Sequence, residues 1–296
     1  MRRVVDVFDV APGVRLAADA VGDPEAPPLL MLHGGGQTRH AWHATATSLA
    51  AAGWRAIAVD QRGHGESTHP RSPAYALDDF AADARALIAA IGDVPIVIGA
   101  SLGGVAGLLA LGEAPVAPAG GLVLVDVAHD FRSRGGERVV GFMRDHADGF
   151  ASLADAAVST YLPHRRRPDD VGGLRHNLRC IDGRWTWRWD PEILDTGHRL
   201  IGERASLSER LAAAATRLRK PCLLVRGTES DVLSAAIASE FVELAAGATL
   251  TEVPRAAHMV AGDNNDAFVA AISTWLRTSG ARSGRDSTED PTRDRA

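Results

Sequence analysis

The segment Gly99-Ala100-Ser101-Leu102-Gly103 sets a hydroxyl nucleophile between two glycines. A serine attacks a carbonyl carbon only if a base takes its proton and hydrogen-bond donors receive the oxyanion that forms. The chain holds residues suited to both tasks. His33-Gly34-Gly35-Gly36 is a loop almost free of side chains, so its backbone N–H groups can approach developing negative charge closely. His258, in Pro254-Arg255-Ala256-Ala257-His258-Met259, is the only histidine beyond His198. A neutral imidazole there can accept the serine proton and return it to a leaving group near pH 7. A carboxylate must orient that imidazole. Gly227-Thr228-Glu229-Ser230-Asp231 supplies Asp231, the preferred acid, and Glu229, while Asp126 offers another position earlier in the chain.

The pentapeptide alone is weak, because 30 glycines in 296 residues make chance matches common. Its setting raises its weight. The apolar run Pro95-Ile96-Val97-Ile98 predicts a buried strand leading into the motif, and 102–112 reads as the helix leaving it. A strand-to-helix elbow of that kind lifts Ser101 above the sheet, forces it toward positive φ and needs small neighbours. The glycine loop ends another predicted strand at 29–32, the position from which a second oxyanion donor comes. Leu102 and Gly35 are the expected donors, with Gly34 and Gly36 as alternatives. In such sheets the chain order is nucleophile, acid, histidine, which His258 satisfies after a strand at 249–253.

Around these elements the pattern alternates: strands near 3–10 and 14–21, a helical stretch at 39–52, a strand at 55–59, a helix at 77–91 and a strand at 122–125. Apolar strands alternating with helices predict βαβ units around a parallel sheet. The alternation stops after residue 126 and resumes with a strand at 221–226, a helix at 232–246 and a last helix at 264–277. The core is therefore expected in 1–126 and 206–278, with 127–205 inserted as a mainly helical cap and 279–296 as a polar, disordered tail. In the cap, Trp185, Trp187 and Trp189 either bury one face or, with Trp42 and Tyr161, wall an acyl pocket. His33, Trp42, Tyr161 and Trp187 are the candidate pocket residues. His33 itself reads as a structural hydrogen-bonder in its loop. Arg165-Arg166-Arg167 is expected in a solvated loop, where one arginine could hold an anionic substrate group.

Composition narrows the classes further. A formal net charge of -5 disfavours a phosphate-backbone partner, and no apolar run approaches the roughly 20 residues of a membrane span. The acid at position 6 interrupts what would be a signal peptide's apolar core, so a cytoplasmic location is expected. Cys180 and Cys222 are too few for a disulfide framework and lack metal-ligand spacing, which fits a reducing compartment, and the serine chemistry expected here implies no metal and no organic cofactor. Cys222 reads as part of a buried strand. The partner expected is a small ester-like molecule; the sequence leaves the oligomeric state open, a homodimer included.

His33-Gly34-Gly35-Gly36-Gln37-Thr38-Arg39-His40-Ala41-Trp42, Asp60-Gln61-Arg62-Gly63-His64-Gly65-Glu66-Ser67, Gly99 to Gly104, Gly227 to Asp231 and Ala257-His258-Met259 together resemble the α/β-hydrolase superfamily. The resemblance covers nearly the whole chain and lies toward esterases, epoxide-hydrolase-like proteins and cofactor-free haloperoxidases. It implies the α/β-hydrolase fold: a mostly parallel eight-stranded sheet flanked by helices, with a helical cap inserted after strand 6. It also implies that Arg62-Gly63-His64-Gly65 shapes a loop beside the active site, with His64 structural. Members that open epoxides or dehalogenate use aspartate where this chain has Ser101, which points to acyl transfer. Hydrolysis of a small or medium carboxylic ester, lactone or thioester is the expected activity. Carbon–carbon bond hydrolysis or perhydrolysis by the same triad, and a non-catalytic ligand sensor on the same fold, are the rival readings.

Overall fold

The computed structural model describes residues 3–71, 75–113, 119–130, 134–160, 171–194 and 203–279. Apolar residues at nearly every position of the short central strands fit a sheet buried on both faces. Strands β1 (Arg3–Ala11), β2 (Val14–Val21), β3 (Pro28–Leu32), β4 (Arg55–Val59), β5 (Ile96–Ala100), β6 (Gly121–Val125), β9 (Cys222–Gly227) and β10 (Ala248–Val253) form that sheet. Its order is β1-β2-β4-β3-β5-β6-β9-β10. From β4 to β10 every neighbour is parallel, while β2 runs antiparallel to both β1 and β4. The eight-stranded, mostly parallel sheet expected from the sequence is what the structure has.

Alternation of side chains along each strand divides the core into two layers. Leu30, Leu32, Val97, Leu122, Leu124 and Leu224 face helices α2 (Leu77–Ile91), α3 (Leu102–Gly112), α6 (Arg204–Arg217) and α7 (Ala235–Leu244). Met31, Ile96, Ile98, Val123, Val125 and Val225 face α1 (His43–Ala51), the short α8 (Val260–Asp263) and the last helix, α9 (Asn265–Thr278). Because the register is parallel from β3 through β10, the carboxyl ends of β3, β5, β6, β9 and β10 share one edge. All the residues proposed for chemistry from the sequence, other than those of the insertion and Trp42, follow those ends.

The insertion holds a short strand pair that the sequence did not suggest, beside its helices. Helices α4 (Arg134–Asp145) and α5 (Leu153–Thr160) are followed by an antiparallel hairpin, β7 (Leu178–Ile181) and β8 (Arg184–Trp187), turning at Asp182-Gly183. Both turn residues have positive φ, 48° and 80°, the geometry of a tight two-residue hairpin turn, where Asp-Gly is favoured. Trp185 and Trp187 alternate because they lie on β8. Phe150, Leu178, Trp187 and Trp189 form a third apolar cluster with Met143, which closes on Phe80 of α2 and Ala106 of α3. The expected tail falls, from residue 280, outside the described residues, as do Tyr161 and Arg165–Arg167. Among the described residues no helix is long and apolar enough to cross a membrane.

One buried ion pair fixes the loop after β4. Arg62 donates from Nε and Nη2 to Asp83 of α2, both at 2.7 Å, and its Nη1 lies 3.3 Å from Asp79. Arg62 and Asp83 are each about 5% exposed, so loss of one partner strands the other in a poorly solvated place. Asp83→Ala is expected to lower unfolding free energy by about 3 kcal/mol, read from the urea midpoint. The isosteric pair replacement Arg62→Met with Asp83→Leu should recover part of that loss.

Candidate active site

Ser101 sits at the junction of β5 and α3 with φ 46° and ψ −115°, a conformation L-residues rarely adopt. The turn is tight enough that a Cβ at Gly99 would overlap the carbonyl of Gly103, and one at Gly103 would overlap that of Leu32. Only glycine fits at either position. Ser101 N donates to Val125 O at 3.3 Å, which brings the elbow against the end of β6. Leu102 N opens helix α3, where the first amides have no partner within the helix and the dipole favours negative charge.

The residue after Val125 is Asp126, also at positive φ (52°) and fully buried. Its carboxylate accepts from Gly227 N at 3.1 Å on one oxygen, and from Ser230 Oγ at 2.5 Å and His258 Nδ1 at 2.8 Å on the other. Ser230 Oγ accepts from Val232 N and Leu233 N, both at 3.1 Å, so its single proton goes to Asp126. With Nδ1–H spent on Asp126, His258 keeps Nε2 as its free basic atom.

Asp231, the acid preferred from the sequence, is not the partner of His258. It is about half exposed and holds Arg138 of α4 in a two-pronged pair, at 3.0 and 2.9 Å. The physical reason lies one residue upstream. The loop after β9 turns Ser230, not Asp231, inward, and the inward place is already filled by the Asp126 carboxylate. Glu229 is exposed as well. Sequence order alone could not separate these acids, because Asp126 and the 229–231 segment follow neighbouring strands, β6 and β9.

Three consecutive amides of the glycine loop have different fates. Gly34 N donates to Gln37 Oε1 at 2.9 Å, and Gly36 N to His64 Nε2 at 3.1 Å. Gly35 N has no acceptor among the described residues. Its direction is fixed from behind: Gly34 O accepts from His33 Nδ1 at 2.8 Å, and in a trans peptide the following N–H points the opposite way. The loop therefore presents one amide, that of Gly35, while Gly34 and Gly36 are engaged. Leu102 Cδ2 lies beside Gly35, and Met143 of α4 lies beside Gly36.

His33 and His64 are fully buried, with rings 4.8 Å apart, edge to face. Their Nδ1 atoms face the carbonyls of Gly34 and Arg62, which can only accept. Their Nε2 atoms face the amides of Gln61 and Gly36, which can only donate. Both rings must therefore be neutral, with the proton on Nδ1. Burial pushes His33 down to about 4 and His64 down to about 3, since a proton added to either ring would be buried and would repel one on the other. His33, proposed as a pocket residue, instead supports the glycine loop from within the core. Sequence reasoning had no signal for the His64–Gly36 contact, since it joins loops 28 residues apart.

Two other pocket expectations change. Trp42 is buried at 2% exposure and stacks on Phe268 of α9, in the core layer that packs on α1 and α9. Trp187 is a core residue of the insertion: its Nε1 donates to His146 O at 2.7 Å and its ring packs edge-on against Phe150. The cap is fastened to the loop that holds His64, through Gly65 N to Arg188 O at 2.6 Å and Asp190 N to Gly63 O at 2.8 Å. Thr38 Oγ1 adds a bond to His176 O at 3.1 Å. Cys222 lies buried in β9, where burial pushes its thiol up to about 12. No three His, Cys, Asp or Glu side chains converge as a metal site among the described residues.

Residues 29–271 match the alpha/beta hydrolase family. The chain is 31% identical to esterase Rv0045c of Mycobacterium tuberculosis over 86% of its own length and 84% of the esterase. It is 28% identical to 2-(acetamidomethylene)succinate hydrolase of Mesorhizobium japonicum, over 74% and 77% of the two chains. A crystal structure of E-2-(acetamidomethylene)succinate hydrolase superposes with a TM-score of 0.80 at 21% identity, covering 94% of this chain and 100% of that one, a likeness of fold. An α/β hydrolase from Novosphingobium aromaticivorans superposes with a TM-score of 0.78 at 27% identity, over 93% and 98%.

The buried histidines make stability depend on pH. In the unfolded chain each binds a proton below about 6.5, whereas in the fold neither does until about 4 or below. Their stabilisation is full above 6.5 and is lost as pH falls toward those values. Between pH 7 and pH 5 the loss should be about 2 kcal/mol for each histidine, seen as a falling urea midpoint. His64→Gln keeps an acceptor for Gly36 N and cannot titrate, so about half of that fall should vanish in the variant.

Proposed function

The chain belongs to the α/β-hydrolase family, and from that premise we propose that it hydrolyses a small or medium carboxylic ester through an acyl-enzyme on Ser101. The observation that carries this reading is the 2.8 Å hydrogen bond from His258 to the buried Asp126 carboxylate, attached to the strand end next to the Ser101 elbow. His258 Nε2 takes the Ser101 proton as Oγ attacks the ester carbonyl carbon. The carbonyl oxygen becomes an oxyanion received by the amides of Leu102 and Gly35. Asp126 keeps the His258 proton on Nδ1 and stabilises the imidazolium. Collapse expels the alcohol, which takes its proton from His258. Water then enters, loses a proton to Nε2 and releases the acid by the same steps in reverse.

Support also comes from the esterase relative at 31% identity and from Ser101 standing where an aspartate would direct the chemistry elsewhere. The apolar side chains of Leu102 and Met143 beside the glycine loop suit a neutral ester and keep water from competing for the donors.

Ser101→Ala should abolish turnover of a p-nitrophenyl ester while the thermal midpoint is retained; unchanged turnover would refute the assignment. Asp126→Asn should lower kcat by about 10³- to 10⁴-fold, whereas Asp231→Asn should stay within about threefold of the parent. The reverse order would return the acid role to Asp231.

A further inference from the structure

The oxyanion loop and the histidine loop come from opposite ends of the chain, yet the side chain of Gln37 touches both. Its Oε1 accepts from Gly34 N at 2.9 Å, and its backbone N donates to Gly34 O at 3.2 Å, so one residue grips both polar groups of Gly34. Its Nε2 donates to Met259 Sδ at 3.1 Å, on the residue after His258. The two ends of the amide are fixed by chemistry: Gly34 N–H can only donate, so the oxygen must face it and the NH₂ must face the sulfur.

We propose that Gln37 is a positioning residue for oxyanion stabilisation, holding the Gly34 peptide so that Gly35 N–H stays turned into the site, and tying that loop to the segment carrying His258. This rests on the serine-hydrolase reading above. The argument follows from peptide geometry. Gly35 N–H belongs to the same planar unit as Gly34 C=O, and that unit can rotate only if Gly34 moves. Glycine resists such rotation poorly, having no side chain to restrict φ and ψ. The His33–Gly34 peptide is held at its carbonyl by Gln61 Nε2 at 2.6 Å and Gly103 N at 3.2 Å, and at its N–H by Gln37 alone. Without Gln37 the Gly34 amide becomes a free donor that can turn toward the oxyanion site in competition with Gly35. Because the donor must be aimed before charge develops, the penalty falls on the transition state and not on substrate binding.

The test compares Gln37→Met, which keeps the length and bulk of the side chain without its hydrogen bonds, with Met259→Leu, which removes the sulfur acceptor. Two readouts are used: steady-state hydrolysis of p-nitrophenyl butyrate, and the rate at which a fluorophosphonate probe phosphonylates Ser101, which draws on the same donors without needing the natural substrate. Gln37→Met should lower kcat about tenfold with KM within about threefold, and slow phosphonylation in parallel. Met259→Leu should lower kcat about threefold in the parent and have no effect in the Gln37→Met background, as two members of one connection must. Met259 is exposed, so its variant keeps the question answerable should Gln37→Met fold poorly. Unchanged kcat in Gln37→Met, a change confined to KM, or an equal effect of Met259→Leu in both backgrounds overturns the proposal. A parent protein that is not labelled at Ser101 overturns the serine-hydrolase reading itself, an outcome distinct from labelling that ignores Gln37.

Discussion

A carboxylate with no exposure to solvent must find its donors within the protein, and Asp126 finds three. They come from the end of β9, from the loop beyond it and from the loop after β10. Leaving any of them unmade would cost a large share of a domain's net stability, since an ionised group loses its hydration on burial. The end of β9 and the two loops are therefore locked to the end of β6 by one charge. Ser101 is attached to the same strand end through Val125, so the arrangement of Ser101 and the His258 imidazole follows from how that charge is satisfied.

The other half of the site rests on a complementary device. Where Asp126 gathers donors, the neutral rings of His33 and His64 pass hydrogen bonds through the interior, each accepting from an amide and donating to a carbonyl. Imidazole suits this because it offers one donor and one acceptor at fixed directions in a flat apolar ring. The result is a glycine loop held in place without side chains of its own. Two amides are consumed in holding it, and the one between them is left available.

The insertion joins both halves. Helix α4 meets the acid side through Arg138 and Asp231, and so tightly at Gly135 that a Cβ there would overlap the Asp231 carbonyl. At its other end Met143 rests on the glycine loop. The cap core of Phe150, Trp187 and Trp189 is thus tied to the sheet by apolar packing and by directed contacts at the site's edges. The exposed Arg138–Asp231 pair carries little stability in itself, as surface pairs do, and its effect is on the position of α4.

The alternation of apolar strands and helices, the glycines around Ser101 and the order of serine and histidine were legible in the sequence, because each is written in local periodicity or in a steric demand that glycine alone meets. The choice of Gly35 among three glycines, the use of Asp126 where Asp231 was expected, and the packing of Trp42 on Phe268 were not. Each depends on which groups meet across neighbouring strands or between loops far apart in the chain. A fold determines such meetings by satisfying all its buried polar groups at once, and one strand's sequence carries no record of its neighbour's loops. The cap hairpin was hidden for a more local reason: eight strand residues and an Asp-Gly turn are too short to stand out beside helices. The sequence by itself determined the sheet, the elbow and the kinds of residue available for chemistry. Tertiary structure decided which carboxylate meets His258 and which amide of the glycine loop is left unengaged, because only there do desolvation and hydrogen-bond geometry choose between residues of the same type.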